Sequence, residues 1–450
     1  MNPRGGFISF LAVLVTALTL IAPQTALAHG SAEQALPVRA VFGGDISPGS
    51  PVLPIGSQLP ASLLEKSSEA LTPPAPRSLT HAREEATRVL SGQQPAGLKA
   101  AALVARPMVD PIDPFVTVTY CRQATDGSEV TVATALDRYN WCAMRPSVVY
   151  SINESGEVTG TTTFRWVTAG KAARTGGRTI NFTTAAYDFV DSGIVLPPAL
   201  VHLEIDYTTS GYSDTDGSNP ACNTIGNSPF TVHDWRLAGA MAEFVVSSDK
   251  SDGYSGDFIS RCGIQQVGRS DLNIPWLPLL DVNVRMDSSA YVGSSGGAIF
   301  TDPFPLMWYQ ISSPDHGEVA QHIRDAQTNP ASTFPTKAGK QIPGAVSSRK
   351  PLHRAVDVVW DLESSQRVRD NRTNRTAACA ALSPTGTPAG KDCDEYPFAS
   401  VWEGAGVGDN NFSVRYVDSA QNNNAGNELG TWYQNQRILG REAFFVQIYS

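Results

Sequence analysis

The chain has 450 residues, with 34 Lys and Arg against 43 Asp and Glu, giving a formal net charge of −9 at pH 7. That balance excludes a general electrostatic pull toward nucleic acid, so any nucleic-acid contact must be local or metal-assisted. Hydrophobic residues make up 41% and charged ones 17%, which excludes a wholly disordered chain and can fill the cores of two or more domains.

Residues 1–28 predict a signal peptide. Arg4 precedes the apolar core "FISFLAVLVTALTLIA", and "ALA" at 26–28 places small residues before a cleavage point at His29. The apolar run falls short of the roughly 20 residues a spanning helix needs, so export is favoured over anchoring. No later stretch is apolar enough to cross a bilayer, and no membrane contact is expected after cleavage. Six cysteines, Cys121, Cys142, Cys222, Cys262, Cys379 and Cys393, then predict three disulfides in an oxidising compartment. Spacing alone does not choose among the pairings. Pairing of sequence neighbours is favoured, and zinc is disfavoured because no C-x-x-C pair is present.

Residues 29–108 are rich in Pro, Ala and Ser ("PGSPVLPIGSQLPAS", "LTPPAPRSLT") and predict a flexible spacer. One helix is expected at "THAREEATRVLSG", between a Thr80 cap and a Gly92 stop. Residues 109–298 change texture. "FVTVTYCR", "EVTVATALD", "SVVYSIN", "GTTTFRWVTA", "RTINFTTAAYDFV", "LVHLEIDYTTS", "AMAEFVVSSD" and "LLDVNVRMDSSAYV" are β-branched and aromatic runs between turn residues. They predict an all-β, sandwich-like accessory domain. Within it, "YVGSSGGAIF" (291–300) is similar to the nucleophile loop of chymotrypsin-like serine proteases through Ser294 and Ser295. Such an enzyme needs a His base and an Asp orienter. The upstream histidines His29, His81, His202 and His233 lack that family's small-residue setting, so a Gly-rich strand connection is the favoured reading.

Residues 299–450 predict an α+β domain. "GEVAQHIRDAQ" (317–327) puts Val319, His322, Ile323 and Ala326 on one helix face, which makes His322 a packed core residue; His353 remains a general-acid candidate. "HRAVDVVW" is a strand candidate that leads into a basic segment. "FASVWEGAG" and "NFSVRYVDS" predict a hairpin, "NAGNELGTWYQNQRILG" a helix stopped by Gly440, and "EAFFVQIY" a closing strand. "KDCDEYPFAS" (391–400) stands at the head of this series, with Asp392, Asp394 and Glu395 close together. It is either a solvated acidic turn or a carboxylate cluster able to hold a metal or take a proton.

"CDEYPFAS", "WEGAG", "VRYV", "NNNAGNELGTWYQNQRIL" and "FFVQ" in that order resemble the NucA/NucB-type secreted bacterial deoxyribonucleases, with a looser likeness at "HIRDAQ" and "PTKAG". The resemblance covers roughly residues 300–450. It implies a ββα-metal-type nuclease domain, cleaving DNA without strong sequence preference with Mg²⁺ or Mn²⁺, Ca²⁺ being a further candidate. It implies Asp394 as the base that activates water, Glu395 and Glu403 as further acids of the catalytic group, and Asn424, Glu428 and Asn435 as metal ligands. Arg415, Gln436 and Arg375 are the expected substrate contacts. Cys379 and Cys393 are expected to fix the loop ahead of Asp394. The reference pKa of an Asp lies near ~3.9, so an Asp base is weak unless burial or a neighbouring acid raises it. Residues 301–450 hold 14 basic and 16 acidic side chains, so phosphate contact must come from local clusters such as Arg367, Arg369, Arg372 and Arg375. The rival reading is a secreted, non-enzymatic adhesin or polymer-binding protein with a structural metal loop. In either case residues 109–298 are candidates for cell-wall or polymer contact.

Overall fold

Strands dominate the computed structural model, which describes residues 36–46, 52–64, 116–125, 132–214, 222–248, 256–270, 277–293 and 295–450. The expected signal peptide and the expected helix at 80–92 lie outside the described residues.

Two antiparallel sheets form the first part. One runs β1 (Arg39–Asp45), β3 (Asn140–Ile152), β4 (Val158–Ala172), β5 (Thr179–Gly193), β8 (Ala242–Ser247) and β7 (Asn223–Asn227), with β2 (Val132–Ala135) added to β3. The other runs β11 (Gly297–Phe300), β10 (Leu277–Ser288), β9 (Phe258–Arg269) and β6 (Glu204–Ser213). Alternate side chains of both sheets meet in one core. Trp141, Phe164, Phe182 and Phe244 come from the first sheet, and Tyr207, Ile264, Val282 and Met286 from the second.

The sandwich expectation for this region holds, with two local corrections. "FVTVTYCR" is not a strand: Val118–Thr125 is a helix. The Thr117 hydroxyl accepts the Tyr120 N–H at its start, and Cys121 bonds to Cys142, so tertiary contacts override β-propensity. The spacer also contributes structure, because β1 pairs with β3 across Arg39↔Ile152 to Asp45↔Ser147. Val52, Leu53 and Leu59 pack with Val41 on the outer face of β3. Strand β3 is therefore buried on both faces, at twelve of its thirteen positions.

The second part packs three helices around a mixed three-stranded sheet and a ribbon. The sheet is β12 (Leu306–Gln310), β16 (Ala443–Tyr449) and β13 (Leu352–His353), with β12 parallel to β16. The ribbon is β14 (Lys391–Tyr396) with β15 (Ser413–Asp418). In chain order the short helices are α1 (Ala61–Leu64), α2 (Val118–Thr125) and α3 (Val232–Arg236), and the long ones α4 (Gly317–Thr328), α5 (Leu362–Leu382) and α6 (Ser419–Asn435). Helix α4 buries the predicted face. Helix α5 went unseen in the sequence because its buried face is Ser364, Ser365, Val368, Asn371 and Cys379, with no apolar stripe to betray it. The N-x-T sequons at Asn371 and Asn374 lie on it. The Asn371 amide donates to the carbonyls of Ala399 and Val401, and that of Asn374 to Ala405. The hairpin is shifted: "FASVWEGAG" is loop, and the acidic stretch 391–396 is itself the strand that pairs with β15.

The two parts meet through a buried ionic network. Glu442 takes Arg138 and Arg285, and Asp287 takes Arg285 and Arg437. The "SSGG" loop serves this network. A Cβ on Gly297 would lie 2.5 Å from the Arg437 guanidinium carbon, and one on Gly296 would lie 2.7 Å from Arg178 Cγ. The paired glycines leave room for two arginines, and the Ser295 hydroxyl accepts the Gly176 N–H. Ser294 lies outside the described residues. All three neighbour disulfides form: 121–142, 222–262 and 379–393.

Candidate active site

Strand alternation decides where the acids of "KDCDEY" go. Successive side chains leave a strand on opposite faces, so Asp394 and Tyr396 face α4 while Cys393 and Glu395 face α5. The clustered acids are thus split between two environments.

Asp394 is 8% exposed. Its Oδ2 lies 2.6 Å from Nδ1 of His322, which has no exposed surface, and His322 Nε2 lies 2.7 Å from the Ser413 hydroxyl. A carboxylate only accepts, so His322 donates from Nδ1, and Ser413 occupies the other nitrogen. The chain Ser413–His322–Asp394 fixes the aspartate from behind and leaves its other oxygen free of protein donors. Tyr309 closes the same wall. Burial first, then the charges of Glu428 and Asp394, raise its pKa well above the ordinary phenol range. It stays a neutral hydroxyl and donates to the Ala425 carbonyl on α6. The charges of Asp394 and Glu428 are thus both felt at one tyrosine.

The other acids also have histidines. Glu428 on α6 is 2.8 Å from Nδ1 of His316, whose Nε2 accepts the Gln310 N–H. Glu403 takes both the backbone N–H and Nδ1 of His353, at 2.8 and 2.5 Å. His353 Nε2 is buried and has no hydrogen-bond partner. All three histidines after residue 300 thus meet a carboxylate that the sequence reading singled out. The helical spacing marks His322 as a packed core residue, and no local pattern links these histidines to their acids, since the partners lie 50 or more residues apart for His322 and His353.

Glu395 sits on the far side of the ribbon. Its Oε1 accepts the Ala399 N–H, and Oε2 is 3.6 Å from Arg375, which also donates to the Cys393 carbonyl. Burial pushes the Glu395 carboxyl up to about 7, against the pull of Arg375. An acid with a raised folded pKa favours folding while protonated, and this contribution fades as pH rises from its unfolded value of about 4.5 through 7. Glu395→Gln keeps the acceptor for Ala399 and cannot ionise. Its melting temperature is expected to gain on wild type between pH 5 and pH 8, by about 1 kcal/mol of relative stability after allowance for partial exposure. Parallel pH scans by calorimetry check this, and equal slopes would contradict it.

Arg415 lies directly across the ribbon from Asp394 and pairs with Asp325 of α4 at 2.9 Å. It also lines an open cleft of about 490 Å³ with Gly317, Glu318, Gln321 and Gln421. Of the expected substrate contacts, only Arg415 stands beside Asp394. Arg375 holds Glu395. Gln436 is buried at the end of α6, where its carbonyl accepts from Arg138.

The expected metal ligands do not converge. Helical rise puts Asn424 and Asn435 about 16 Å apart along α6, and the Asn435 carbonyl accepts from Tyr139 of the sandwich. One ion cannot reach both. Among the described residues no three His, Cys, Asp or Glu side chains form a metal-ligand group. What remains is an oxygen-only pair one turn apart on α6: Glu428, whose side chain is 38% exposed, and the exposed amide of Asn424. Such donors fit a hard ion that keeps most of its waters and takes one or two protein oxygens. They do not fit zinc.

A family model described as Deoxyribonuclease NucA/NucB matches residues 350–447, so the C-terminal region carries a nuclease domain of that type. The match takes in Asp394, Glu395, Glu403, Arg415 and Glu428, and begins after His316 and His322. No curated protein and no solved structure matches the chain.

Proposed function

We propose that the chain is an exported, metal-dependent endodeoxyribonuclease in which Asp394 takes the proton of the attacking water. The observation that carries this reading is the setting of Asp394. It lies in a nuclease-type domain, is held from behind by a fully buried histidine, and has a cationic Arg415 directly across the ribbon. His322 and Ser413 hold the aspartate in one orientation, which favours transfer of a proton at its free oxygen. Arg415 can exchange Asp325 for a backbone phosphate, a contact that supplies affinity without reading sequence. A divalent ion bound by Glu428 and Asn424 would neutralise charge on the phosphate and leaving oxygen. Three disulfides suit an oxidising compartment, and among the described residues no helix is long and apolar enough to cross a membrane.

Plasmid nicking by the full chain, with Mg²⁺ or Mn²⁺ and with EDTA, tests the reading. Nicking only in the presence of a divalent ion is expected. Undiminished nicking in EDTA would remove the metal, and no nicking with any ion would remove the nuclease. His322→Gln tests the orienting contact. A loss of about tenfold to a hundredfold in kcat, with KM for DNA unchanged, is the size seen when a side chain that orients a functional group is removed. An unchanged kcat in a folded variant would show that Asp394 does not depend on His322.

A further inference from the structure

Helix α6 ends without the usual glycine. Its last carbonyls lack partners within the helix, and a left-handed residue normally closes them. Here that residue is Arg437, at φ 47. An L side chain is disfavoured in this conformation, so other contacts must hold it.

Those contacts come from the sandwich. The Tyr139 hydroxyl donates to the Asn435 carbonyl at 2.6 Å, Arg138 to the Gln436 carbonyl at 2.5 Å, and Arg285 to the Arg437 carbonyl. The Arg437 side chain is fully buried, bonded to Asp287 and to the Arg174 carbonyl, and lies over Gly297. Glu442 ties the set together by taking Arg138 and Arg285 while accepting the Leu439 N–H. Two guanidinium groups thus stand at the negative end of the helix dipole, where cations are favoured.

We infer that the β-rich part is a positioning element of the nuclease: Arg138, Tyr139 and Arg285 cap the C-terminus of α6 and thereby set Glu428 against His316 and Tyr309. This rests on the reading of α6 as the site helix. The sandwich is then needed by the C-terminal site rather than appended to it. The described part of the protein is correspondingly one compact unit across the junction near residue 300.

The test uses the full chain with Tyr139→Phe, Arg138→Met and Arg138→Lys. Tyr139→Phe removes one hydrogen bond with the ring kept, so it serves if Arg138→Met fails to fold. Amide hydrogen exchange is read across 425–437, with α5 as the internal reference, beside kcat and KM for DNA below the melting temperature. Tyr139→Phe is expected to speed exchange in α6 about fivefold, leave α5 unchanged, and lower kcat about fivefold at constant KM. Arg138→Met should do more, and Arg138→Lys should recover part of it. Uniformly faster exchange, or freer α6 exchange with kcat unchanged, would overturn the inference. Selective α6 exchange in a chain whose wild type cuts no DNA would keep the cap and overturn the nuclease reading instead.

Discussion

Glu442→Ala is expected to lower the melting temperature by about 5 °C. Glu442 is the shared acceptor of Arg138 and Arg285 and of the Leu439 N–H. Removing it leaves the buried Arg138 guanidinium without a carboxylate and Arg285 with Asp287 alone, and breaking a buried pair in this way costs about 3–5 kcal/mol. In a unit of this size, with an unfolding entropy of about 2 cal/mol/K per residue, each kcal/mol is worth about 1–2 °C. The same group gives wild type an acid limb. Burial alone would raise its pKa, but Arg138 and Arg285 outweigh burial and hold it down at about 2. A depressed carboxylate contributes stability above its unfolded pKa of about 4.5 and loses it as pH falls toward 2. Calorimetric scans of wild type and variant should therefore lie far apart at pH 7 and converge toward pH 2. A constant gap would mean that the charge of Glu442 is not what joins the two parts.

Asp394→Asn carries the second large effect, on chemistry rather than stability. The amide oxygen can still accept from His322 Nδ1, so the wall of His322, Ser413 and Tyr309 is expected to survive. A positioned general base contributes about 10²- to 10⁴-fold, and DNA cleavage should fall by that order with little change in melting temperature. Cleavage at the wild-type rate by the folded variant would mean that another group takes the proton. The Glu403-bound imidazole of His353, with its buried and unpartnered Nε2, would then be the next residue to change.

How far the sequence reached can be judged from particular elements. The sandwich was legible because most of its strands alternate around turn residues, and α4 because Val319, Ile323 and Ala326 keep helical spacing. Strand β9, "FISRCGIQQVGR", was not recognised because it mixes Arg, Gln and Gly with its apolar residues. Nine of its twelve positions are nonetheless buried, on both faces. Helix α5 hid because polar side chains fill its inner face. The acidic stretch was seen as chemistry but misjudged as geometry. Adjacent acids suggest one cluster, whereas a strand sends neighbours apart. The histidine partners were out of reach, because nothing local links residue 322 to 394 or 316 to 428.

That division of the β14–β15 ribbon also limits what length changes the domain can absorb. Cys393 is pinned to α5 by its disulfide, and Asp394, one residue on, looks the other way. A slip of one position would exchange the two faces entirely, turning Asp394 toward the cystine and burying a half-cystine against His322. The covalent tie removes that freedom. Insertions should be tolerated at the exposed turn 407–410, and a single residue added between Cys393 and Tyr396 should not.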